Sequence, residues 1–336
     1  MIRFAWLQFR VQAAAAAAAL AIIAVVLVVT GPNLVHLYDT TVVNCAVHHD
    51  CSATTTAFLD TDGPLQIFLD FLMLVVPGLI GMFWGAPLVA RDFETGSVRL
   101  AWTQGVTRTR WLAVKLGLGA FCAMTATGLL SVMVTWWSSD LDFVGGNVIF
   151  DPLGFGARDI VPVGYAAFAF ALGCAAGVLV RRTLPAMLTA LVGFVAVRAL
   201  VTDWVRPYLF SPLHKIMVIA TSSPLGFGET PAGMTVTART QGLMSNAWVY
   251  SVQIVTKAGH VPAQSAINRA CPFNQATGEF NMRTCTANVA ARFHELVTYQ
   301  PQSRFWGLQW YEMGIFLGLA IVLGGLCFVW IRRPLS

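Results

Sequence analysis

The stretch VARDFETGSVRLAWTQGVTRTRWLAVK, residues 89–115, decides the fold of this chain. It is rich in arginine and lysine, yet long apolar runs flank it on both sides. A charged segment between two runs that are each long enough to span a bilayer must lie in water at a membrane face. Because short loops rich in arginine and lysine stay on the cytoplasmic side, the stretch predicts a cytoplasmic connection between two transmembrane helices.

Local signals within this connection predict a short amphipathic helix. Residues 95–97, Thr-Gly-Ser, interrupt the helix that precedes them. Val98, Ala101 and Trp102 then recur at helical spacing until Gly105 ends the pattern. A short helix that is joined rigidly to two spans is suited to passing a push from a soluble partner into the membrane.

The order of residues in this connection follows a recognisable pattern: an acidic residue and Glu, then Gly-Ser, then a Thr-Arg pair and a Lys. The pattern is carried by residues 90–97, 100–104, 107–108, 110–112 and Lys115. In these residues the chain resembles the permease subunits of ATP-binding-cassette (ABC) type-2 exporters, especially those of actinobacteria. In that family the loop forms a coupling helix that docks on a separate ATPase subunit. The resemblance therefore implies coupling roles in the 90–110 loop for Asp92, Glu94, Gly96, Arg99, Trp102, Arg108 and Arg110.

The composition is that of an integral membrane protein. Of the 336 residues, 57% are hydrophobic and only 11% are charged, and the mean hydropathy is +0.67. Soluble domains are about a quarter charged. The formal net charge of +5 does not indicate a nucleic-acid partner, since no basic helix with interleaved aromatic residues appears.

The expected fold class is an all-α polytopic membrane protein with six transmembrane helices, of the ABC type-2 exporter kind, in a bacterial plasma membrane. Both termini are expected in the cytoplasm, because arginine and lysine concentrate in the short inner segments. Residues 1–10 are predicted to form an interfacial amphipathic helix, and residues 332–336 a cytoplasmic tail. The predicted spans cover residues 11–30, 65–89, 111–137, 160–180, 184–201 and 309–331.

Three segments are expected on the outer side. Residues 31–64 contain no lysine or arginine, and residues 138–160 form an acidic loop. Residues 202–308 are too polar to span and too long for the positive-inside rule to apply. Within them, alternation over residues 248–254 predicts a strand, and the spacing over 289–297 predicts a helix. This region is therefore expected to form a small α+β extracellular module.

The cysteines of the outer segments predict disulfides. Four of the seven cysteines fall in segments assigned to the outside. An oxidising compartment favours two disulfides among them, for which three pairings exist. The preferred pairing joins neighbours in sequence: Cys45 with Cys51, and Cys271 with Cys285.

Three positions in or near the spans are candidates for a gate or a substrate path. Asp70 is an acidic residue within a span, which suggests a function by default, although it lies close enough to the interface to reach water. Pro77-Gly78 predicts a kink or a break near mid-membrane. Glu312 resembles a Glu that is common at the outer end of the last span in the exporter family. The alternative for Glu312 is a structural role at the interface.

Two further features within the spans concern packing. Gly173 with Gly177, and Gly314 with Gly318, have the small-xxx-small spacing that predicts close helix approach. Arg198 falls near the end of the fifth span, where its long side chain is expected to snorkel outward.

Motifs of catalysis are absent from the sequence. It contains no phosphate-binding G-x-x-x-x-G-K-[ST] loop and no H-E-x-x-H, C-x-x-C or G-x-S-x-G. The chain is therefore expected not to be an enzyme and to hold no cofactor, with ATP and magnesium on the partner subunit. A metal site at His48-His49 is disfavoured, because adjacent histidines point in different directions on regular structure.

The resemblance implies the permease subunit of an ATP-driven exporter. Two copies of an ATPase would bind it, a second permease copy, by preference an identical one, would complete the path, and membrane lipid would surround it. Apolar spans suit lipid, drug-like or amphiphilic peptide cargo. The alternatives are a non-transporting anchor or sensor whose outer module binds a ligand, and a secondary transporter. The last is disfavoured because, besides Pro77-Gly78, the spans show few charged or broken elements near the midplane.

Overall fold

Long apolar helices make up most of the computed structural model, which describes residues 2–39, 52–96, 107–144, 150, 152–219, 225–230, 233–238, 247–271 and 282–332. The chain forms two compact units. The helical unit comprises Met1–Leu209 with Trp306–Ser336, and the sheet unit comprises Phe210–Phe305.

Six helices among the described residues are long and apolar enough to cross a membrane, which confirms the predicted fold class. These candidate spans are Arg10–Tyr38, Asp60–Glu94, Arg108–Ser139, Val161–Val180, Thr183–Tyr208 and Gln302–Arg332. The α-helices of the helical unit are α1 Ile2–Tyr38, α2 Ser52–Ile80, α3 Ala86–Glu94, α4 Arg108–Val144, α5 Pro152–Ala157, α6 Val161–Val180, α7 Thr183–Leu200 and α10 Phe305–Arg332.

Several helices extend beyond the predicted spans. Helix α1 runs without interruption from Ile2, so the predicted interfacial segment 1–10 continues directly into the first span. Helix α2 begins at Ser52, and helix α4 continues to Val144. These two helices are joined near their extended ends by a buried hydrogen bond, which Gln66 Nε2 of α2 donates to Asp142 Oδ1 of α4 at 2.6 Å.

The irregularity of the second span is a π-helical turn at Gly81–Gly85. The predicted break does not occur at Pro77, since α2 continues through it to Ile80. The turn lies against α6 at very short range. A Cβ atom on Gly81 would be 2.5 Å from the carbonyl oxygen of Ala169, so only glycine fits. The π turn therefore brings the backbones of two spans into direct contact.

Helix α6 is the centre of the helical unit. Of its most apolar window 78% is buried, against 6% for α1. It packs against α2, α3, α4 and α7. Its Gly173 and Gly177 allow this approach, because a Cβ atom on Gly177 would lie 2.8 Å from the carbonyl oxygen of Ala86. The predicted packing face at these two glycines is thus confirmed.

The sheet unit is built around an antiparallel sheet with the strand order β1-β5-β4. A second, two-stranded sheet pairs β2 with β3. The strands are β1 Leu213–Val218, β2 Leu225–Thr230, β3 Gly233–Ala238, β4 Ala247–Thr256 and β5 Phe293–Pro301, and the helices are α8 Gln264–Ala270 and α9 Met282–Arg292.

The disulfide Cys271–Cys285 is present and joins the end of α8 to α9. Both sulfurs lie in the core of the sheet unit with Ile254, Val289 and Phe293. This part of the predicted pairing is confirmed. The predicted Cys45–Cys51 pair lies outside the described residues.

The predicted secondary structure of the sheet unit was right for the strand at residues 248–254, which is β4. It was wrong for the second half of the helix at 289–297, because α9 ends at Arg292 and Phe293 begins β5. Phe293, Glu295 and Val297 are buried in alternation, as in a strand with one face on a core. Pairing with two neighbours makes β5 the central strand and overrides the local helical spacing.

Candidate functional site

The connector end of the helical unit is the end at which α3 ends at Glu94 and α4 begins at Arg108. Asp92 makes an internal ion pair there with Lys115 of α4. Lys115 also donates to the carbonyl oxygen of Leu88 at 3.0 Å, and its Nζ lies 4.8 Å from the ring centroid of Trp111. Asp92 and Lys115 are both buried. Asp92, a predicted coupling residue, thus fastens α3 to α4.

Glu94 fastens the same helix end to α7. Its Oε1 accepts from the backbone N–H of Thr183 at 2.8 Å, and its Oε2 accepts from the Thr183 hydroxyl at 2.5 Å. Thr183 is the first residue of α7. Two residues before it, Arg181 has a left-handed φ of 57°. A carboxylate beside the unpaired N–H groups of a helix start is favourable. Glu94 therefore supplies a cap that α7 does not provide for itself.

The other predicted coupling residues are placed differently. Gly96 has a φ of +69° just after α3, a conformation that suits glycine. Arg108 and Arg110 begin α4, and the hydroxyl of Thr107 accepts from the backbone N–H of Arg110 at 3.4 Å. Arg110 is exposed. Arg99 and Trp102 lie outside the described residues.

The opposite end of the helical unit contains a buried cluster around Arg158. Its Nε donates to Asp142 Oδ2 at 2.9 Å, and its Nη1 is paired with Asp70. Burial alone would lower the pKa of Arg158, but the hydrogen bond and the charge of Asp142, with the charge of Asp70, raise it above its usual value. Asp70 is therefore held in an internal ion pair and does not extend into water.

Part of the predicted acidic outer loop at 138–160 is packed inside the helical unit. Residues Gly154 to Arg158 are buried, and Arg158 is only 2% exposed. The charge of the single arginine among acidic residues compensates two carboxylates that would be costly to bury alone. The excess of acidic residues in the sequence thus reflects internal pairing as well as contact with solvent.

A second buried cluster surrounds Glu312 of α10. Arg206, which follows α7, donates to its two carboxylate oxygens at 2.7 and 2.9 Å, and the Tyr165 hydroxyl of α6 donates to Oε1. Arg206 also lies over the ring of Phe155, 4.2 Å from the centroid. Glu312 is fully buried. It links three parts of the helical unit in the structure.

Arg198 belongs to the same region, and the prediction that it snorkels outward is wrong. Its side chain is buried and donates from Nη1 to the carbonyl oxygen of Leu74 at 3.0 Å. The guanidinium lies 4.4 Å from the ring centroid of Tyr165. Gly156 makes room for it, since a Cβ atom there would be 2.5 Å from Arg198 Nη2. An aromatic face and a nearby carbonyl favour the inward position.

The segment formed by residues 152–160 connects these clusters. Arg158 binds Asp70 of α2 and Asp142 of α4. Gln309 of α10 donates to the carbonyl oxygen of Phe155 at 3.1 Å and accepts from the backbone N–H of Val161 at 3.1 Å. No sequence motif marks this segment as functional. The signal was a lone arginine and an apolar Leu-Gly-Phe-Gly run within a loop that is otherwise acidic.

Among the described residues, no group of three or more His, Cys, Asp or Glu side chains is arranged to hold a metal ion. The polar groups at both ends bind one another across helices, through ion pairs and hydrogen bonds. Such an arrangement can hold helices together or, when its contacts break, release them.

Comparison with known proteins matches more than half of the chain to one family. A family described as ABC-2 membrane transporter related matches residues 17–206. The match includes the connector end and the Arg158 cluster, whereas Glu312 lies beyond it. No curated protein and no solved structure matches the chain.

Proposed function

This chain belongs to the ABC-2 membrane transporter related family and is an ABC-2 type permease; we propose that it exports its cargo and is driven through residues 90–110 by a separate ATPase. The ATPase would bind in two copies and carry the ATP and magnesium. A second copy of this chain would complete the translocation path. Both termini and the 90–110 loop would lie on the cytoplasmic side.

The observation that carries this proposal is the double attachment of α3. Asp92 holds its end to α4, and Glu94 holds it to the start of α7. A force applied to the connection that follows Gly96 would therefore reach three helices together. Exposed Arg110 and the neighbouring Arg108 are suited to acidic groups of a partner, and Arg99 and Trp102 complete the proposed docking set.

The buried clusters at the opposite end support a gate there. Asp70 with Arg158, and Glu312 with Arg206, hold helices that must separate for cargo to leave. Binding of ATP shifts the permease only if the ATPase grips one arrangement of the connector end more tightly than the other. Pro77 and the π turn beside it lie between the two ends on the second span, where they could absorb such a rearrangement.

The substitution Glu94→Ala tests the coupling. We expect the variant to insert, to bind the ATPase and to retain ATP hydrolysis in proteoliposomes, but to lose most ATP-driven efflux, because the end of α3 loses its hydrogen bonds to the start of α7. Asp60→Ala is the matched control, since it removes an exposed carboxylate elsewhere on the same candidate span.

Two results would contradict the proposal. Efflux by Glu94→Ala at the wild-type rate would remove the coupling role of the 90–110 loop. Purification of the intact chain without any ATPase, from cells that express its neighbouring genes, would instead favour the anchor or sensor alternative.

A further inference from the structure

A crevice of about 320 Å³ lies within the helical unit, between α2, α5 and α7. Most of its lining is apolar. Polar atoms enter it from one end, where α7 passes into the π-helical turn Val201–Val205. The apolar lining includes Leu74, Val75, Leu153, Leu191, Phe194 and Val195, and the polar end is formed by Arg198, Thr202 and Asp203.

Two opposite charges line this crevice without pairing with each other. Among the described residues no carboxylate lies within 4.0 Å of Arg198, and no cation lies within that distance of Asp203, since the ion pairs there involve Asp92, Asp70, Asp142 and Glu312. The neighbouring Arg206–Glu312 pair is neutral as a unit. In the part of the chain that the structure describes, the buried guanidinium of Arg198 therefore meets the Leu74 carbonyl oxygen and the face of Tyr165 but no carboxylate.

The neighbouring Arg206 has an unsatisfied donor. Arg206 Nη1 is buried and has no hydrogen-bond partner in the described part of the chain. The carboxylate of Glu312 is thus already engaged by Arg206, and no ion pair joins it to Arg198. A phosphate oxygen in the crevice would give Arg198 the anionic contact that neither Glu312 nor Asp203 provides.

The polar end of the crevice lies towards one membrane interface. Arg198 lies 15 residues after Thr183, which is about 22 Å along the helix. The hydrocarbon core of a bilayer is about 30 Å thick, so Arg198 lies towards one interface. Leu191, Phe194 and Val195 extend from it towards the membrane centre, whereas Asp203 lies beyond it and is exposed.

We propose that this crevice binds a phospholipid of the surrounding bilayer with an ethanolamine-type headgroup. The phosphate meets Arg198, the primary ammonium meets Asp203, and one acyl chain lies along the apolar lining. A headgroup that carries both charges bridges two side chains that do not reach each other. This site concerns binding by the chain alone and does not depend on the proposed export function.

The test is native mass spectrometry of the purified full chain, titrated with dioleoyl phosphatidylethanolamine, phosphatidylcholine or phosphatidylglycerol. We expect at least fivefold tighter binding of the ethanolamine lipid than of the choline lipid, whose quaternary ammonium cannot donate a hydrogen bond. Asp203→Asn should bring the ethanolamine lipid down to the level of the choline lipid. Arg198→Gln should lower the affinity for all three lipids at least fivefold. The controls Arg332→Gln and Asp60→Asn, both at exposed positions, should leave the three affinities unchanged.

Val195→Trp keeps both charges and fills the crevice, so it tests the site without removing a buried arginine. We expect it to lower the affinity for phosphatidylethanolamine at least fivefold. Equal binding of the three lipids by the wild type would overturn the proposal. Wild-type affinity of the Val195→Trp variant for phosphatidylethanolamine would also overturn it. So would a wild-type preference for phosphatidylglycerol over phosphatidylethanolamine that persists in Asp203→Asn.

Discussion

Three of the buried cations in the helical unit lie where another helix supplies their charged partner. Lys115, Arg158 and Arg206 each bind carboxylates from a distant part of the sequence. Burial of an ion is costly, and a good pair only compensates that cost, so such pairs add little net stability. Removal of one partner leaves an uncompensated charge and is strongly destabilising. These residues therefore specify which helices lie side by side more than they stabilise the bundle.

Asp92→Asn tests whether removal of one partner of a buried ion pair destabilises the chain. We expect it to lower the free energy of unfolding by about 3–5 kcal/mol, because Lys115 stays buried without its counter-ion. The double variant Asp92→Asn with Lys115→Met should recover most of that loss. The measurement is unfolding of the purified chain in mixed detergent micelles.

Arg110→Gln is the control for this prediction, because it removes an exposed charge at the same end. It should change the free energy of unfolding by less than about 0.5 kcal/mol. A double variant as unstable as Asp92→Asn alone would show that the pair contributes through its packing and not through charge balance.

At the scale of the helices, the closest packing is a backbone contact between α6 and the π-helical turn of the second span. Gly81, Gly85 and Gly173 meet at distances that leave no room for a methyl group. Since helices in lipid gain little from apolar burial, tight packing of this kind is a main source of their association. The π turn adds to this by widening the helix at the contact.

Gly173→Ala should disrupt this contact. A Cβ atom there would lie 2.2 Å from the carbonyl oxygen of Gly81, and neither backbone can move far inside the packed centre. We expect a loss of at least about 2 kcal/mol in the free energy of unfolding, since overpacking in a filled core costs about 1–3 kcal/mol. Gly117→Ala, where nothing lies within 4 Å, should be neutral or slightly stabilising. Equal stability of the two variants would mean that the contact is loose.

The elements differ in how far their sequence determines them. Spans are long apolar runs that must satisfy their backbone groups internally, so composition alone predicts them. The segment 293–297 was misread because Phe293, Leu296 and Val297 fit a helix spacing as well as a buried strand face. Its state is decided by β1 and β4, which pair with it from far away in the sequence.

The partners of charged residues could not be predicted for the same reason. Asp70 and Arg158 are 88 residues apart, and Arg206 and Glu312 are 106 apart. The sequence indicated that Asp70 and Glu312 were unusual, because charge within a span is costly. Which arginine each would meet depends on how the helices pack, and no local pattern carries that information.

Burial is very uneven across the whole molecule. Helix α6 is enclosed, whereas α1 has 6% and α10 has 17% of its most apolar window buried. Helix α1 also carries an uninterrupted run of alanines at residues 13–19. Small side chains allow close approach of another helix in a membrane. The exposed side of α1 is therefore suited to the proposed second copy of this chain.

Ala14→Leu with Ala18→Leu tests this surface, since both positions are exposed within one chain. We expect the double variant to shift the purified protein from dimer to monomer, as counted by single-molecule photobleaching in nanodiscs. Val322→Leu with Leu326→Met on exposed positions of α10 is the control and should leave the dimer intact. A monomeric wild type, or a dimeric Ala14→Leu/Ala18→Leu variant, would contradict the prediction.

The short segment at residues 152–160 has a consequence for leakage. It contacts α2 and α4 through Arg158, and α10 through Gln309, so none of these three helices can move away without breaking a buried contact. Random thermal motion would have to break several buried contacts at once. We therefore expect partly open forms to be rare and the closed helical unit to be impermeable to ions.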